Sequence, residues 1–356
     1  MTIITNFEDN AVGRLKKEIW EASDKEIDEI LKEYGVPSPG EMDKPNCYIQ
    51  NTLPEIQQEK IEKNDIVLIP LGSTEYHGLH SVLAQDTYQV NRLCEAVRRY
   101  TAKQGREVSV AFCPWMYGDH PFHHLGMIGT VPISQSAVVH LLVDVMFGLW
   151  AQGLRKFIFV NNHGQQWSIT QAIDEFGKKY PELPYFAVAY EWCGSMWEFY
   201  QVGVCFDTDF IHSDEVEASF VLLLAPEMVD MSKAVDTKPR GYLPDGHVNK
   251  SSNQNIHRPN FWYNIRNNVP LEIHATPEGV IGAATKGSAE KAKKPVAAAL
   301  KYMTLLIGDI LKVFPPGVLP PIEEVTLFKK EEVEGYQKKL GEPGYKNPYR
   351  LWRPYY

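Results

Sequence analysis

Long uninterrupted hydrophobic runs are missing from this 356-residue chain. Its most apolar stretch, 136–154, is broken by His140 and Asp144, which argues against a membrane span of about 20 residues. Cysteine is scarce: Cys47, Cys94, Cys113, Cys193 and Cys205 are odd in number, scattered, and never spaced C-x-x-C. That excludes a secreted disulfide framework and a thiolate zinc knuckle. The N-terminus has neither the basic region nor the apolar core of a signal peptide. Positive charge is also in deficit, with 36 Lys and Arg against 45 Asp and Glu, a formal charge of -9 and a pI of about 5.7. Without a basic stripe a nucleic-acid partner is not expected. No G-x-S-x-G elbow, G-x-x-x-x-G-K-[ST] phosphate loop or G-x-G-x-x-G after a strand is present, so serine-nucleophile, phosphoryl-transfer and dinucleotide chemistry lose their usual carriers. The expectation is a reduced, soluble, cytoplasmic protein with a small neutral ligand and no membrane partner.

Apolar material is ample, at 44% hydrophobic and 23% charged residues, enough for a sizeable core. The first residues read as an N-terminal extension, 1–60, in which Ser23 and Glu26 form a capping-box pattern and Gly35 closes the short helix. From Asp65 short apolar runs alternate with amphipathic ones. Ile66 to Ile69, Val108 to Cys113, Phe157 to Val160 and Tyr185 to Ala189 read as strands. Helical spacing links Val90, Leu93, Cys94 and Val97, then Val138 through Trp150, Ile169 through Phe176, and Val216 through Leu224. A last helix runs from about Ser288 to Val313. This alternation predicts an α/β fold with a mostly parallel sheet, as one domain over 61–314. It carries a long loop, 235–275, of the kind that serves as a lid, binding loop or subunit contact, and it is followed by a Pro- and Tyr-rich tail, 315–356.

The chemistry-bearing residues fall at strand ends. Gly72-Ser73-Thr74-Glu75-Tyr76-His77-Gly78 follows the first strand and Asp86 opens the next helix, while Asn161-Asn162-His163-Gly164-Gln165 follows the strand ending at Val160. In open parallel sheets ligands bind beyond the carboxyl ends of the strands, so these groups converge. Glu75 and His77 project to one side of an extended segment, and Asp86 and His163 add a carboxylate able to bridge two ions and a second imidazole. A mixed oxygen and nitrogen set without thiolates suits zinc or manganese and leaves a position open for water. Two such ions would acidify that water and polarise a carbonyl.

Taken together these residues resemble the creatininase family of metal-dependent hydrolases. The likeness is carried by Gly72 to Gly78 with Asp86-Thr87 (the family's G-S-x-E-x-H-G and D-T), by His124-Leu125-Gly126-Met127-Ile128-Gly129-Thr130, by Asn161-Asn162-His163-Gly164 (its N-G-H-G), and by His212-Ser213-Asp214-Glu215-Val216-Glu217-Ala218-Ser219 (its H-A-G-E-x-E-T-S). The motifs occur in the family's order between about Asp65 and Val313. The resemblance implies a three-layer αβα fold, two divalent ions per chain (zinc or manganese), and Glu75, His77, Asp86 and His163 as ligands with Asp86 bridging. It also implies a ring-shaped homo-oligomer, a hexamer being the candidate copy number, in which the tail from Tyr345 to Tyr356 could wrap a neighbour. The fifth ligand is open. Creatinine-hydrolysing members carry a glutamate where this chain has Gln165, and Glu217 is the substitute.

His212 and Glu215 are candidates for proton transfer. His123, His124, Gln165, Trp167 and Trp192 are candidate substrate contacts, whereas His80 and His140 read as packed structural residues. The family chemistry is hydrolysis by a metal-activated water, and two substrate classes are physically reasonable: a cyclic amide, opened at C–N, and a cyclic β-diketone, opened at C–C through an enolate. Gln165 removes a charged ligand from the creatinine pattern, and neutral hydrogen-bonding groups (Asn162, Gln165, Gln166, Trp167, His123) suit a polyol-like substrate. The favoured reading is therefore the branch of the family that opens diketo-inositols in inositol catabolism. A non-catalytic scaffold or ligand sensor is the reading from another class, disfavoured because a scaffold has no reason to hold adjacent carboxylates.

Overall fold

The computed structural model describes residues 3–111, 117–119, 124–238 and 276–355. In chain order its main elements are α1 (Ala11–Glu21), α2 (Asp24–Tyr34), α3 (Pro54–Lys63), β1 (Ile66–Leu71), α4 (Gln85–Lys103), β2 (Ser109–Val110), α5 (Gln135–Ala151), β3 (Lys156–Asn161), α6 (Gln166–Lys179), β4 (Phe186–Glu191), α7 (Glu215–Leu224), α8 (Ala289–Val313), α9 (Ile322–Val325) and α10 (Lys330–Gln337).

The strands form one parallel sheet in the order β2-β1-β3-β4, with Ile66 opposite Lys156 and Leu71 opposite Asn161. Every residue of β1 and β3 is buried, as expected of strands covered on both faces. Alternation assigns the side chains to two cores. Ile66, Leu68, Ile158 and Val160 pack with residues of α1, α2, α4, α7 and α8, whereas Val67, Ile69, Leu71, Phe157 and Phe159 pack with residues of α5 and α6. The result is the three-layer αβα arrangement that the motif pattern implies. Among the described residues no helix is long and apolar enough to cross a membrane.

The N-terminal segment is built into the first core rather than laid over it. Leu15, Ile19, Ile27 and Leu31 are buried there, and the Ser23–Glu26 capping box and left-handed Gly35 fix α2 as the sequence predicts. A charged network ties the loop after α2 to α4: buried Glu95 accepts from Tyr48 Oη at 2.7 Å and Glu41 N at 3.0 Å, and Arg98 bridges Glu41 and Glu107 at 2.8 Å each. The C-terminal tail lies on its own chain. Tyr355 stacks on His140 of α5 at 3.6 Å between ring centroids, Lys179 Nζ sits 3.5 Å from the Tyr355 ring centroid, and Arg353 pairs with Glu182 at 2.8 Å. Aromatic and cationic contacts of this kind hold an otherwise irregular segment. The loop expected over 235–275 is described only to residue 238.

One buried ion pair closes the sheet at the end opposite the strand carboxyl termini. Lys156 Nζ lies 2.5 Å from Asp65 Oδ1 and 3.2 Å from the Pro315 carbonyl, while Asp65 Oδ2 accepts from Gly317 N at 3.0 Å. The pair ties the starts of β1 and β3 to the chain leaving α8. Removing one partner strands the other charge in the interior, a loss of about 3–5 kcal/mol. Lys156→Met is therefore expected to lower the denaturant midpoint sharply. Lys178→Ala, which breaks an exposed pair with Asp174, should leave it unchanged; equal midpoints for the two variants would contradict the assignment.

Candidate metal centre

β1 and β3 end side by side, and the loops that leave them carry the functional groups to one edge. Gly72 lets the chain turn there. A Cβ at this position would sit 2.5 Å from Thr87 N and Oγ1, so only glycine allows the end of β1 to touch the first turn of α4. That contact brings the Glu75–His77 loop against Asp86, the second residue of α4. The third contribution comes from α7, where Asp214 caps the helix by accepting from Val216 N and Glu217 N. Ser213, just before that cap, adopts a left-handed backbone with φ 49°. Its N–H donates to Glu217 Oε2 at 2.5 Å, which turns the carboxylate inward. Non-glycine residues in this region cost about 1–3 kcal/mol and persist where the surroundings enforce them.

The side chains meet in three overlapping groups, each with ligand atoms within 4.8 Å of one another: Glu75, His77 and His212; Glu75, Asp86 and His163; and His77, Asp86 and Glu217. Asp86 belongs to two of them through different oxygens. Its Oδ1 lies 3.2 Å from His77 Nε2, and its Oδ2 lies 2.9 Å from His163 Nδ1. Glu75 Oε2 is 3.4 Å from His163 Nδ1, and Glu217 Oε2 is 3.5 Å from His77 Nε2. Glu75, His77, Asp86, His163 and Glu217, the five ligand candidates, thus stand together, with Asp86 between the two halves.

A cation fits this donor set. His77 Nδ1 faces the Glu75 carbonyl oxygen at 3.0 Å, and donation to that carbonyl leaves Nε2 as the lone-pair nitrogen. That lone pair points at two carboxylate oxygens. His77 Nε2 and Asp86 Oδ1 are both buried without a hydrogen-bond partner, an arrangement that is unfavourable unless a positive charge lies between them. The electrostatics show the same strain. Burial and the two flanking imidazoles pull Asp86 in opposite directions, and the imidazoles hold its carboxyl down at about 2. Burial, joined by the charges of Asp86 and Asp214, pushes Glu217 up to about 8 against the pull of His77. Burial opposes the charging of His77, but the surrounding carboxylates raise it well above the usual imidazole range.

The other candidates divide. His212 and His124 join the cluster. His212 Nε2 lies 3.0 Å from the Tyr76 carbonyl and 3.4 Å from Glu75 Oε1, with its ring 4.6 Å from that of His77, and His124 Nδ1 lies 2.9 Å from Glu75 Oε1. Gln165 is buried at the edge, donating to the Gly72 carbonyl at 3.1 Å and Asn161 Oδ1 at 3.3 Å. Trp167 Nε1 donates to Asp119 Oδ2 at 2.9 Å. Trp192 is fully buried behind the site, packed on Phe220, with Nε1 donating to Asn162 Oδ1 at 2.5 Å. Glu215 turns away: its carboxylate accepts from Asp207 N, Thr208 N and Thr208 Oγ1 and pairs with Lys291. His123 lies outside the described residues. Asp119, Ser213 and Gln85, whose Nε2 lies 3.4 Å from Glu217 Oε2, were not singled out by sequence. The signal that could have exposed Ser213 is its place between a histidine and a helix cap.

A dry cluster of carboxylates and imidazoles suited to divalent cations, at the carboxyl edge of a parallel sheet, defines a metal-dependent hydrolase of the three-layer α/β class. The family model for creatininase, described as creatinine amidohydrolase, matches residues 50–307; the chain belongs to the creatininase family. It is 40% identical over 318 residues to the 3-dehydro-scyllo-inosose hydrolase of Thermotoga maritima, covering 87% of this chain and 100% of that protein. A mycofactocin precursor peptide peptidase of Mycobacterium tuberculosis is 36% identical over 108 residues, 28% of this chain and 40% of that protein. The fold matches a crystal structure of creatinine amidohydrolase at TM-score 0.55 and 18% identity, over 76% of this chain and 98% of that one. It also matches a structure titled creatininase Mn, at TM-score 0.53, 18% identity and coverages of 76% and 99%.

With Glu217 facing His77 and Gln165 occupied as an amide donor, Glu217→Gln is expected to lower the metal content by elemental analysis to about half that of the wild type, while Gln165→Leu retains it. The reverse pattern would place the fifth ligand at 165. Chelation should lower the melting temperature of the wild type, because a ligand that binds only the folded chain is then removed and Glu75, Asp86 and Glu217 are left crowded with the imidazoles alone to offset them.

Proposed function

We propose that this protein opens a hydroxylated cyclic β-diketone of the inositol series by hydrolytic C–C cleavage, using two divalent ions held by Glu75, His77, Asp86, His163 and Glu217. The observation that carries the substrate is the 40% identity to a 3-dehydro-scyllo-inosose hydrolase over that protein's whole length. The catalytic body is assigned to 61–314, with 1–60 and 315–356 as additions, and the working assembly is a homo-oligomer in the cytoplasm.

When bound, zinc or manganese supplies a low-pKa water and a Lewis acid for a ketone oxygen. The chain's own groups do the rest. Glu75 is oriented by His124 Nδ1, 2.9 Å from its Oε1, and Asp86 is oriented between His77 and His163. Both carboxylates are therefore set before substrate arrives, as pre-organised catalysis requires. Addition of the water oxygen to one ketone forms the new C–O bond, and the bond to the carbon between the ketones then breaks. Its electron pair becomes an enolate conjugated with the second ketone, and a proton returned to that carbon completes an open-chain keto acid. The ring contacts of His212 with His77 at 4.6 Å and His124 at 4.9 Å support it as the group that holds and returns that proton. Glu215 is assigned to the loop at Asp207 and Thr208.

The amide reading keeps one supporting observation, the family description itself. The two are separated by incubating the metal-loaded protein with the diketo-inositol and with creatinine and following ring opening by NMR. Turnover of the diketone is expected, reduced at least about 100-fold in kcat by His212→Gln. Creatinine turnover alone would overturn the proposal.

A further inference from the structure

Beside the candidate metal centre, two buried acceptor atoms have no donor among the described residues. Asp119, 4% exposed, uses Oδ2 to accept from Trp167 Nε1 at 2.9 Å and from Ser168 Oγ, but its Oδ1 is unpartnered. Gln165, 3% exposed, spends Nε2 on the Gly72 carbonyl and Asn161, and its Oε1 is unpartnered. The two residues belong to one corner. Gly118, next to Asp119, packs so closely here that a Cβ would sit 2.9 Å from Gln165 Oε1, 2.9 Å from Ser73 Oγ and 3.0 Å from His163 Cδ2. The Asp119 partners Trp167 and Ser168 stand in the first turn of α6, directly after Gln165.

A buried acceptor left without a donor costs about 1–3 kcal/mol, more for a carboxylate. Two of them in the corner that also holds His163 therefore describe a surface that is completed by something bringing donors. Neither atom suits a ketone or ether oxygen, which can only accept. Hydroxyl groups meet the requirement, since each carries a proton to give.

Resting on the function proposed above, the geometry points to Asp119 and Gln165 as the residues that recognise substrate hydroxyls, so that the pocket selects a polyhydroxylated ring over the bare diketone. A site built to bond hydroxyls rejects analogues that lack them because its own acceptors are then stranded.

The test compares the metal-loaded wild type with Asp119→Asn on two substrates, the diketo-inositol and unsubstituted cyclohexane-1,3-dione, with scyllo-inositol as a non-reacting polyol in thermal-shift measurements. The wild type is expected to favour the hydroxylated diketone by about 100-fold or more in kcat/KM, and Asp119→Asn to shrink that ratio about tenfold or more through KM. Stabilisation by scyllo-inositol should disappear with it. An unchanged ratio would overturn the inference and leave Asp119 as a support for Trp167. If the wild type opens neither diketone, the proposed reaction fails on its own account and the scyllo-inositol shift alone decides the recognition site, absence of a shift overturning it. Ser168→Ala keeps the Asp119 carboxylate while removing one of its anchors. It should retain the preference, and if Asp119→Asn does not fold, loss of the preference in Ser168→Ala would count against the inference.

Discussion

The structure is organised around the cost of holding three carboxylates, Glu75, Asp86 and Glu217, in one dry place. Each would forfeit several kcal/mol of hydration on burial if left uncompensated. Among the described residues no lysine or arginine faces them; the groups that do are the imidazoles of His77, His163, His212 and His124, of which His77 is held in its charged form by the carboxylates around it. The nearest sheet lysine, Lys156, is bound to Asp65 at the far end of the strands. With its Nδ1–H spent on a backbone carbonyl, His77 has Nε2 left either to carry a proton between the carboxylates or, once that proton is displaced, to offer a lone pair to a cation. The donor set suits cations in place of that proton, and the scaffold is best understood as what keeps the carboxylates from relaxing away from one another. Parallel strands with every residue buried, a glycine that brings β1 onto α4, and a left-handed residue ahead of α7 are three ways of preventing that relaxation.

Much of this was legible in the sequence because it is local. Glu75 and His77 sit two apart in an extended turn, Asp86 opens a helix, and His163 follows a strand; each position can be read from periodicity and strand ends, and the sheet rule then places them together. Glu217 is different. It reaches His77 from 140 residues along the chain, and its orientation depends on the Ser213 backbone, which no spacing rule reveals. Glu215 shows the converse. It shares the helix and the acidic character of Glu217, but the 100° step per residue along a helix turns it to the opposite surroundings, where Asp207, Thr208 and Lys291 satisfy it.

Long-range packing accounts for the other differences. An N-terminal stretch with amphipathic helices reads as an extension, since nothing local says which core its apolar face will meet; here it meets α8 and the first core. The aromatic tail carries the composition of an interaction segment, and it finds its partners, His140 and Lys179, on its own α5 and α6. His140 thereby has a packing role consistent with a histidine set among valines and leucines.

The substitution at 165 is more than a lost charge. The Gln165 amide nitrogen faces two acceptors, the Gly72 carbonyl and Asn161 Oδ1, and Asn161 cannot turn its own amide toward Gln165 because its Nδ2 is engaged by the His163 carbonyl and Glu191. The amide orientation is thus dictated by the network around it. A glutamate in this conformation would set a carboxylate oxygen against two other oxygens with no proton between them, a lone-pair conflict in a site that already holds three carboxyl groups. The network around residue 165 thus suits an amide in this conformation, and a carboxylate here would have to turn away from the Gly72 carbonyl and Asn161 Oδ1. A carboxylate does reach the cluster from another element. α7 supplies it: Ser213 N–H and Gln85 Nε2 hold Glu217 Oε2 on the side of His77 and Asp86, and Gln165 is left free to present a neutral oxygen instead.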